Sequence, residues 1–283
     1  MKHILGIICS PRKLGNCEIT VKAISRQIPI PHELSLLRLS DFQIEPCRGC
    51  YSCLFKKGEC VIEDDLNGIL EAIKKADALI IAVPTYFLGP NASLKRFLDR
   101  GFTVFARMEE FWGKPALGVG IAGIQGREGY TLLGIESFLK IMMADIKGCA
   151  ILYGALPGEV FLNPGNESLV SALAASLFGK SIDADGPDCP VCGGRTFRFM
   201  DHTTLKCMIC SNSGTLQFKD GRPVCDIRKG EHEMFTSRES AISHREWLLG
   251  MKEKFLKQKN TLKEITLSYL KDGSWIAPGD SRK

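Results

Sequence analysis

Residues 3–17 read HILGIICSPRKLGNC, and this stretch decides the fold. Its first seven residues are a short apolar run with three β-branched members, stopped by Ser10-Pro11. A run that short and apolar reads as a strand buried on both faces of a parallel sheet. A helix is expected next over residues 16–27, with Ile19, Ala23 and Ile24 on one face and Pro29 ending it. Between them lies a polar loop. In a doubly wound sheet, ligands sit outside the carboxyl ends of the strands, where the N-terminus of the following helix presents unpaired N–H groups. Ser10, Arg12 and Asn16 add hydroxyl, guanidinium and amide donors, and Lys13 and Gly15 complete a loop suited to a phosphate. An ordinary polar loop would not need Ser, Arg, Lys, Gly and Asn together.

The same alternation continues outward. Further strands are expected at residues 33–39, 78–83, 116–121 and 149–153. Helices are expected from Asp64-Asp65 through Lys74-Lys75, over 91–100, over 131–143 and over 167–178. Residues 40–62 have no period and read as a long loop. Five strand–helix alternations in about 180 residues point to an α/β fold, a flavodoxin-like doubly wound sheet of five parallel strands. The domain expected over residues 1–180 is followed by a linker, SIDADGP at 181–187. A small module around cysteines is expected to 230, and a helical tail over 231–283. In that tail Trp247, Leu248, Met251, Phe255, Leu262 and Ile265 recur at helical spacing. Such a stripe reads as a packing face, docked on the rest of the protein or on a second subunit.

No G-x-x-x-x-G-K-[ST] loop is present. A G-x-G-x-x-G occurs at Gly118, Gly120 and Gly123, but in and after the fourth strand, where it is a weak dinucleotide signal. These glycines read as backbone kept thin for the approach of a flat ligand. Two segments follow strand ends: PTYFLGPNASLKRFLDR at 84–100 and AGIQGREG at 122–129. Together with SPRKLGN, they resemble the NADPH-dependent FMN reductase superfamily, in order, over about residues 1–180. The resemblance implies FMN, its phosphate in the first loop and its ring flanked by Pro84, Thr85, Tyr86, Phe87, Leu88 and Gly89 and by Ala122, Gly123, Gln125 and Gly126. Cys17 stands where the family usually has Thr or Ser, and a thiol is a poorer donor to the phosphate.

Twelve cysteines are the unusual feature of the composition, and eight fall into two groups. Cys47, Cys50, Cys53 and Cys60 have the spacing C-x2-C-x2-C-x6-C. Three thiolates at x2 spacing wrap a corner of a cubane cluster, and Cys60 can close it; free thiols in a loop are the plain alternative. Within the superfamily this motif resembles the iron-sulfur flavoproteins, which implies a 4Fe-4S cluster beside the flavin, in this subunit or a neighbouring one. Cys189, Cys192, Cys207 and Cys210 form two C-x2-C knuckles fourteen residues apart, which is close to a zinc-ribbon pattern. Four thiolates leave no open position, so a structural zinc is expected. A rubredoxin-like iron is the alternative. Cys9 and Cys149, in apolar strands, read as small core residues.

The formal net charge is +5, with 20 Lys/Arg against 18 Asp/Glu in residues 1–180 and 17 against 14 beyond. That balance argues against a polyanion binder. Apolar runs fall far short of the ~20 residues a membrane helix needs, and a signal-peptide core is not evident, so a cytoplasmic protein is expected. The reading is an FMN-dependent oxidoreductase passing electrons between a cluster and FMN. A ferredoxin-like carrier or NAD(P)H would be its redox partner, and the resemblance implies a homo-oligomer. The competitors are a cluster-free NAD(P)H-dependent flavin or quinone reductase and a zinc-ribbon redox or nucleic-acid-binding regulator.

Overall fold

The computed structural model describes residues 1–182, 186–274 and 276. Residues 183–185 of the expected linker, and residues 275 and 277–283 of the expected tail, lie outside the described residues. The strand β1 (Lys2–Ile8) leads into α1 (Asn16–Gln27) and then β2 (His32–Arg38). The cysteine-bearing segment carries one helical turn, α2 (Ser52–Phe55), before α3 (Leu66–Lys75). Next come β3 (Ala78–Tyr86), the two-residue β4 (Gly89–Pro90) and α4 (Ala92–Leu98). Two short helices follow, α5 (Phe102–Ala106) and α6 (Met108–Phe111). The N-terminal part ends with β5 (Pro115–Ala122), α7 (Thr131–Ile141), β6 (Asp145–Tyr153) and α8 (Pro164–Ser176).

The sheet order is β2-β1-β3-β5-β6, all parallel, with β4 folded back antiparallel on β3. Leaving β4 aside, this is the flavodoxin-like order, whose switch point lies between β1 and β3. Alternate residues of the central strands feed two cores. Leu5, Ile7, Leu79 and Ile81 pack under α3, α4 and α7, whereas Ile4, Ile8, Ile80 and Ala82 pack under α1 and α8. At the switch point Asn91 donates from Nδ2 to the carbonyl of Cys9 at 2.6 Å, and Ser93 donates to the same oxygen. These bonds hold the β4–α4 turn against the end of β1.

The glycines of β5 correct one expectation. A Cβ on Gly118 would sit 2.4 Å from Ile135 Cγ2, and one on Gly120 would sit 2.4 Å from Ile151 Cδ1 and 3.1 Å from Thr131 Cγ2. Gly118 and Gly120 therefore make room for α7 and for the neighbouring strand, not for a flat ligand. Cys9 is fully buried as expected, while Cys149 on the edge strand is half-buried.

Beyond the linker, β7 (Phe197–Phe199), β8 (Thr204–Cys207), β9 (Ser213–Lys219) and β10 (Arg222–Ile227) form an antiparallel sheet in the order β10-β9-β8-β7. Its core includes Cys189, Leu205, Cys207, Ile209 and Cys225, with Leu133 of α7 packed against it. The long helix α9 (Arg238–Ser268) begins with a capping box. Ser237 Oγ accepts from the Ser240 N–H, and the Ser237 N–H is bonded by Ser240 Oγ. Only its first half docks. Ala241 and Leu248 are buried with Leu54 of α2, Phe105, Met108 and Met143, and Lys252 lies 5.3 Å from the Phe55 ring. Phe255, Leu262 and Ile265, expected on a packing face, are exposed. At about 1.5 Å per residue the second half extends well beyond the body.

Candidate flavin and metal sites

The loop after β1 is built by its own side chains. Gly15, at the N-cap of α1, donates its N–H to the Arg12 carbonyl at 3.3 Å, and a Cβ there would lie 2.9 Å from Arg12 Cβ. The Leu14 N–H donates to Glu18 Oε2 at 2.9 Å, and Glu18 also accepts from Lys22 at 2.6 Å and Arg38 at 2.5 Å. Burial raises the Glu18 pKa, but bonds from Lys22, the Leu14 N–H and Arg38 outweigh it and hold the group below its ordinary value. The first N–H groups of α1 have no partner within the helix, and they face a cleft lined by Ser10, Arg12, Gly15, Asn16, Cys17, Pro84, Thr85, Tyr86 and Gly123. Burial pushes the Cys17 thiol up to about 12.

Four lining residues escaped the sequence reading: Ile121, Gly154, Ala155 and Pro157. The last three belong to the loop after β6, which leaves the same sheet edge; the only signal for it was that topology. Asn16 differs from expectation. Its Nδ2 donates to the carbonyls of Gly154 and Leu156 at 2.9 and 3.0 Å, and its Oδ1 accepts from the Gly158 N–H at 2.9 Å. The side chain thus ties two loops together and has no amide donor left for a phosphate. Lys13, Phe87, Leu88, Gly89, Ala122, Gln125 and Gly126 do not line the cleft. Phe87 and Leu88 form a turn at φ 48° and 65°, and Phe87 is fully exposed. That turn is fixed to the glycine-rich loop: the Tyr130 N–H donates to the Leu88 carbonyl at 2.8 Å, and the Tyr130 ring covers Gly89. Thr85 and Thr131 share a hydroxyl bond of 2.9 Å.

Cys47, Cys50, Cys53 and Cys60 line a second pocket with Tyr51, Ile62, Arg100, Phe102 and Thr103. The loop bearing them is pinched at its neck. Asp64 Oδ2 accepts from the Glu45 N–H at 2.8 Å and from Arg100 Nη1 at 2.6 Å, and Nη1 also donates to the Glu45 carbonyl at 2.8 Å. One residue outward, the Gln43 N–H donates to Asp65 Oδ2 and the Asp65 N–H to the Gln43 carbonyl. Tyr51, at φ 57°, sets its ring 5.1 Å from that of Phe102. The loop therefore lies against α5, and among the described residues no residue lines both this pocket and the flavin cleft.

The chemistry of this pocket fits an iron-sulfur cluster. Its candidate metal ligands are thiols alone. Backbone N–H groups already aim at the sulfurs: Gly49 N to Cys47 Sγ at 3.4 Å and Ile62 N to Cys60 Sγ at 3.5 Å. Hydrogen bonds from Ser52 lower the Cys50 pKa, while burial followed by the charges of Cys60 and Cys50 pushes Cys53 up to about 11. A buried guanidinium beside them suits an anionic thiolate centre.

The second cysteine group has the geometry of one ion. Cys189 and Cys210 sulfurs are 3.7 Å apart, Cys192 and Cys207 sulfurs 3.6 Å, and all four lie within 4.8 Å of one another. A tetrahedron with metal–sulfur bonds of ~2.3 Å has edges of ~3.8 Å. Each knuckle turns on a left-handed residue, Gly193 at φ 73° and Ser211 at φ 62°; the sequence marks only the glycine. Hydrogen bonds among the four sulfurs lower the Cys210 pKa and raise that of Cys192, so a metal would have to displace the protons the set still shares.

Residues 2–148 match the NADPH-dependent FMN reductase family. An iron-sulfur flavoprotein of Archaeoglobus fulgidus is 31% identical over 172 residues, 59% of this chain and 74% of that one. An iron-sulfur flavoprotein of Methanosarcina thermophila is 29% identical over 63% of this chain and 92% of its own. Among solved structures, a flavone reductase superposes with a TM-score of 0.68 at 16% identity, covering 98% of this chain and 99% of that one. That likeness of fold runs through the ribbon and the tail.

Proposed function

The chain belongs to the NADPH-dependent FMN reductase family, and from that premise we propose that it exchanges electrons between bound FMN and a 4Fe-4S cluster. It is an FMN-dependent oxidoreductase. FMN supplies hydride and single-electron chemistry, and the cluster supplies single-electron transfer. The protein binds and orients. Arg12, the Ser10 hydroxyl and the N–H groups opening α1 hold the phosphate. Thr85 and Tyr86 on one side, and Ile121, Gly123 and Ala155 on another, bound the space for the ring. Cys47, Cys50, Cys53 and Cys60 hold the cluster, and Cys189, Cys192, Cys207 and Cys210 hold a structural zinc.

The observation that carries the cluster is the set of four thiols lining one pocket with a buried arginine. The names of the relatives support it. NAD(P)H or a ferredoxin-like carrier is the redox partner. A homo-oligomer, which light scattering of the full chain would reveal, brings a second subunit within reach of the two separate pockets. Among the described residues no helix is long and apolar enough to cross a membrane.

The test is anaerobic purification with an absorption spectrum and with iron, sulfide and flavin analysis. About four iron and four sulfide per chain are expected, with FMN as the released flavin. Cys50→Ser should lose iron and keep FMN. Unaltered protein prepared without oxygen and holding no iron at these cysteines would replace this reading with a cluster-free NAD(P)H-dependent flavin or quinone reductase.

A further inference from the structure

Arg100 is among the largest fully buried side chains, with 1% of its side chain exposed. Its terminal nitrogens are bound: Nη1 to Asp64 and the Glu45 carbonyl, Nη2 to Asp64 Oδ1 at 3.3 Å. Its Nε–H has no partner within hydrogen-bonding distance among the described residues. A buried donor left unmatched is costly. A lysine could neutralise Asp64 without leaving one. The neck of the loop is moreover closed independently by Gln43 and Asp65. The role of the spare donor lies in the wall it faces, since Arg100 lines the pocket of the four cysteines. Cys60 lines that same pocket, which puts its sulfur and the guanidinium on one small enclosed space.

We infer that Arg100 is a positioning residue for the four-cysteine centre, its spare Nε–H donating to the Cys60 sulfur when the cluster is bound and raising the cluster's reduction potential. The inference rests on the cluster reading above. Reduction adds one electron to an anionic thiolate-held centre, and a donor and a fixed positive charge beside a ligand sulfur favour the more negative state. Asp64 holds the planar fork in one orientation, which is a use of arginine that lysine cannot reproduce.

The experiment is a redox titration of anaerobically prepared protein, following the cluster by electron paramagnetic resonance and the flavin by absorbance. Iron and sulfide in the unaltered protein are measured first; their absence overturns the cluster reading and this inference with it. Arg100→Lys keeps the charge opposite Asp64 and removes Nε–H. It is expected to retain iron and FMN, with the cluster midpoint shifted to more negative potential and the flavin midpoint unmoved. Should it lose the cluster, Arg100→Gln combined with Asp64→Asn, which keeps both side chains polar and uncharged, is titrated in the same way with the same expectation. An unshifted cluster midpoint in a variant that retains the cluster overturns the inference, and so does loss of the cluster from both, which would leave Arg100 a purely structural role.

Discussion

Asp64 and Arg100, 36 residues apart in sequence, meet at 2.6 Å with side chains 2% and 1% exposed, and together they grip the backbone of Glu45 from both sides. A buried pair of this kind has paid its desolvation and adds little over an apolar filling, but breaking it strands a charge. Asp64→Ala should therefore cost about 3–5 kcal/mol of stability, read by urea unfolding, and should speed amide exchange over residues 45–64. Unfolding free energy within 1 kcal/mol of the unaltered protein would remove the pair from any structural role.

The flavin cleft separates two residues that the sequence treats alike. Arg12 lines it, and its loss removes a charge-assisted phosphate contact worth about 1.5–3 kcal/mol. Arg12→Ala should weaken FMN about 10- to 100-fold with an unchanged melting temperature. Asn16 spends its side chain on Gly154, Leu156 and Gly158, so Asn16→Ala should lower stability by about 1–3 kcal/mol even in the flavin-free protein. Calorimetric titration of the flavin-free variants, beside thermal melts, distinguishes the two. Equal effects of both substitutions on both readouts would defeat the assignment.

The main fold was legible because its central strands are buried on both faces and so must be apolar throughout, as residues 4–8 and 78–83 are. Edge strands carry no such constraint. β6 begins at Asp145, earlier than its apolar run suggests, because it is an edge strand on which Asp145 is exposed and Lys147 falls at a bulge, paired with that aspartate. The helix expected over 91–100 ends at Leu98 and is followed by α5 and α6, too short to show a period. Cysteine spacing announced both thiol groups. It could not announce Arg100, which belongs to no motif with Asp64 and reaches it only through tertiary packing, nor the loop at 154–157, which joins the cleft only because β5 and β6 end side by side.

Gly118 and Gly120 test packing against ligand access. A new Cβ on Gly118 would lie 2.4 Å from the buried Ile135, and one on Gly120 2.4 Å from the partly buried Ile151. Gly118→Ala should cost about 1–3 kcal/mol through overpacking while the folded fraction binds FMN normally. A variant of native stability with weakened FMN would restore the reading of these glycines as a ligand platform.

Cys192→Ser removes one corner of a tetrahedral thiol set whose sulfurs are already at single-ion spacing. Metal binding supplies most of the folding free energy of so small a module. The variant should lose close to one zinc per chain and the ordered amides of β7 to β10, while the flavin and the parallel sheet, with separate cores, survive. Metal analysis finding iron in place of zinc in the unaltered ribbon would point instead to a rubredoxin-like centre.

The docked half of α9 is expected to respond to acid. His232 Nε2 and His244 Nδ1 are 2.7 Å apart, a bond that needs one ring nitrogen to accept. Trp247 stacks on His244 at 5.6 Å and 15°, and Phe105 meets His244 edge-on at 5.3 Å. Burial, then the neighbouring His232, lowers the His244 pKa below its ordinary value. The folded state therefore binds the proton less readily than the unfolded one. The stabilisation is fully present above about pH 6.5, the ordinary histidine value, and is lost as pH falls from there through the lowered folded value. A charge on the buried His244 ring is poorly solvated, the stack on Trp247 loosens, and the helix lifts from Phe105. Lowering the pH from 8 to 5 should give a reversible change in tryptophan emission together with faster proteolysis after Lys252. Both should vanish in His244→Phe, which keeps the aromatic packing and cannot titrate. The same transition in that variant would assign the acid response to another group.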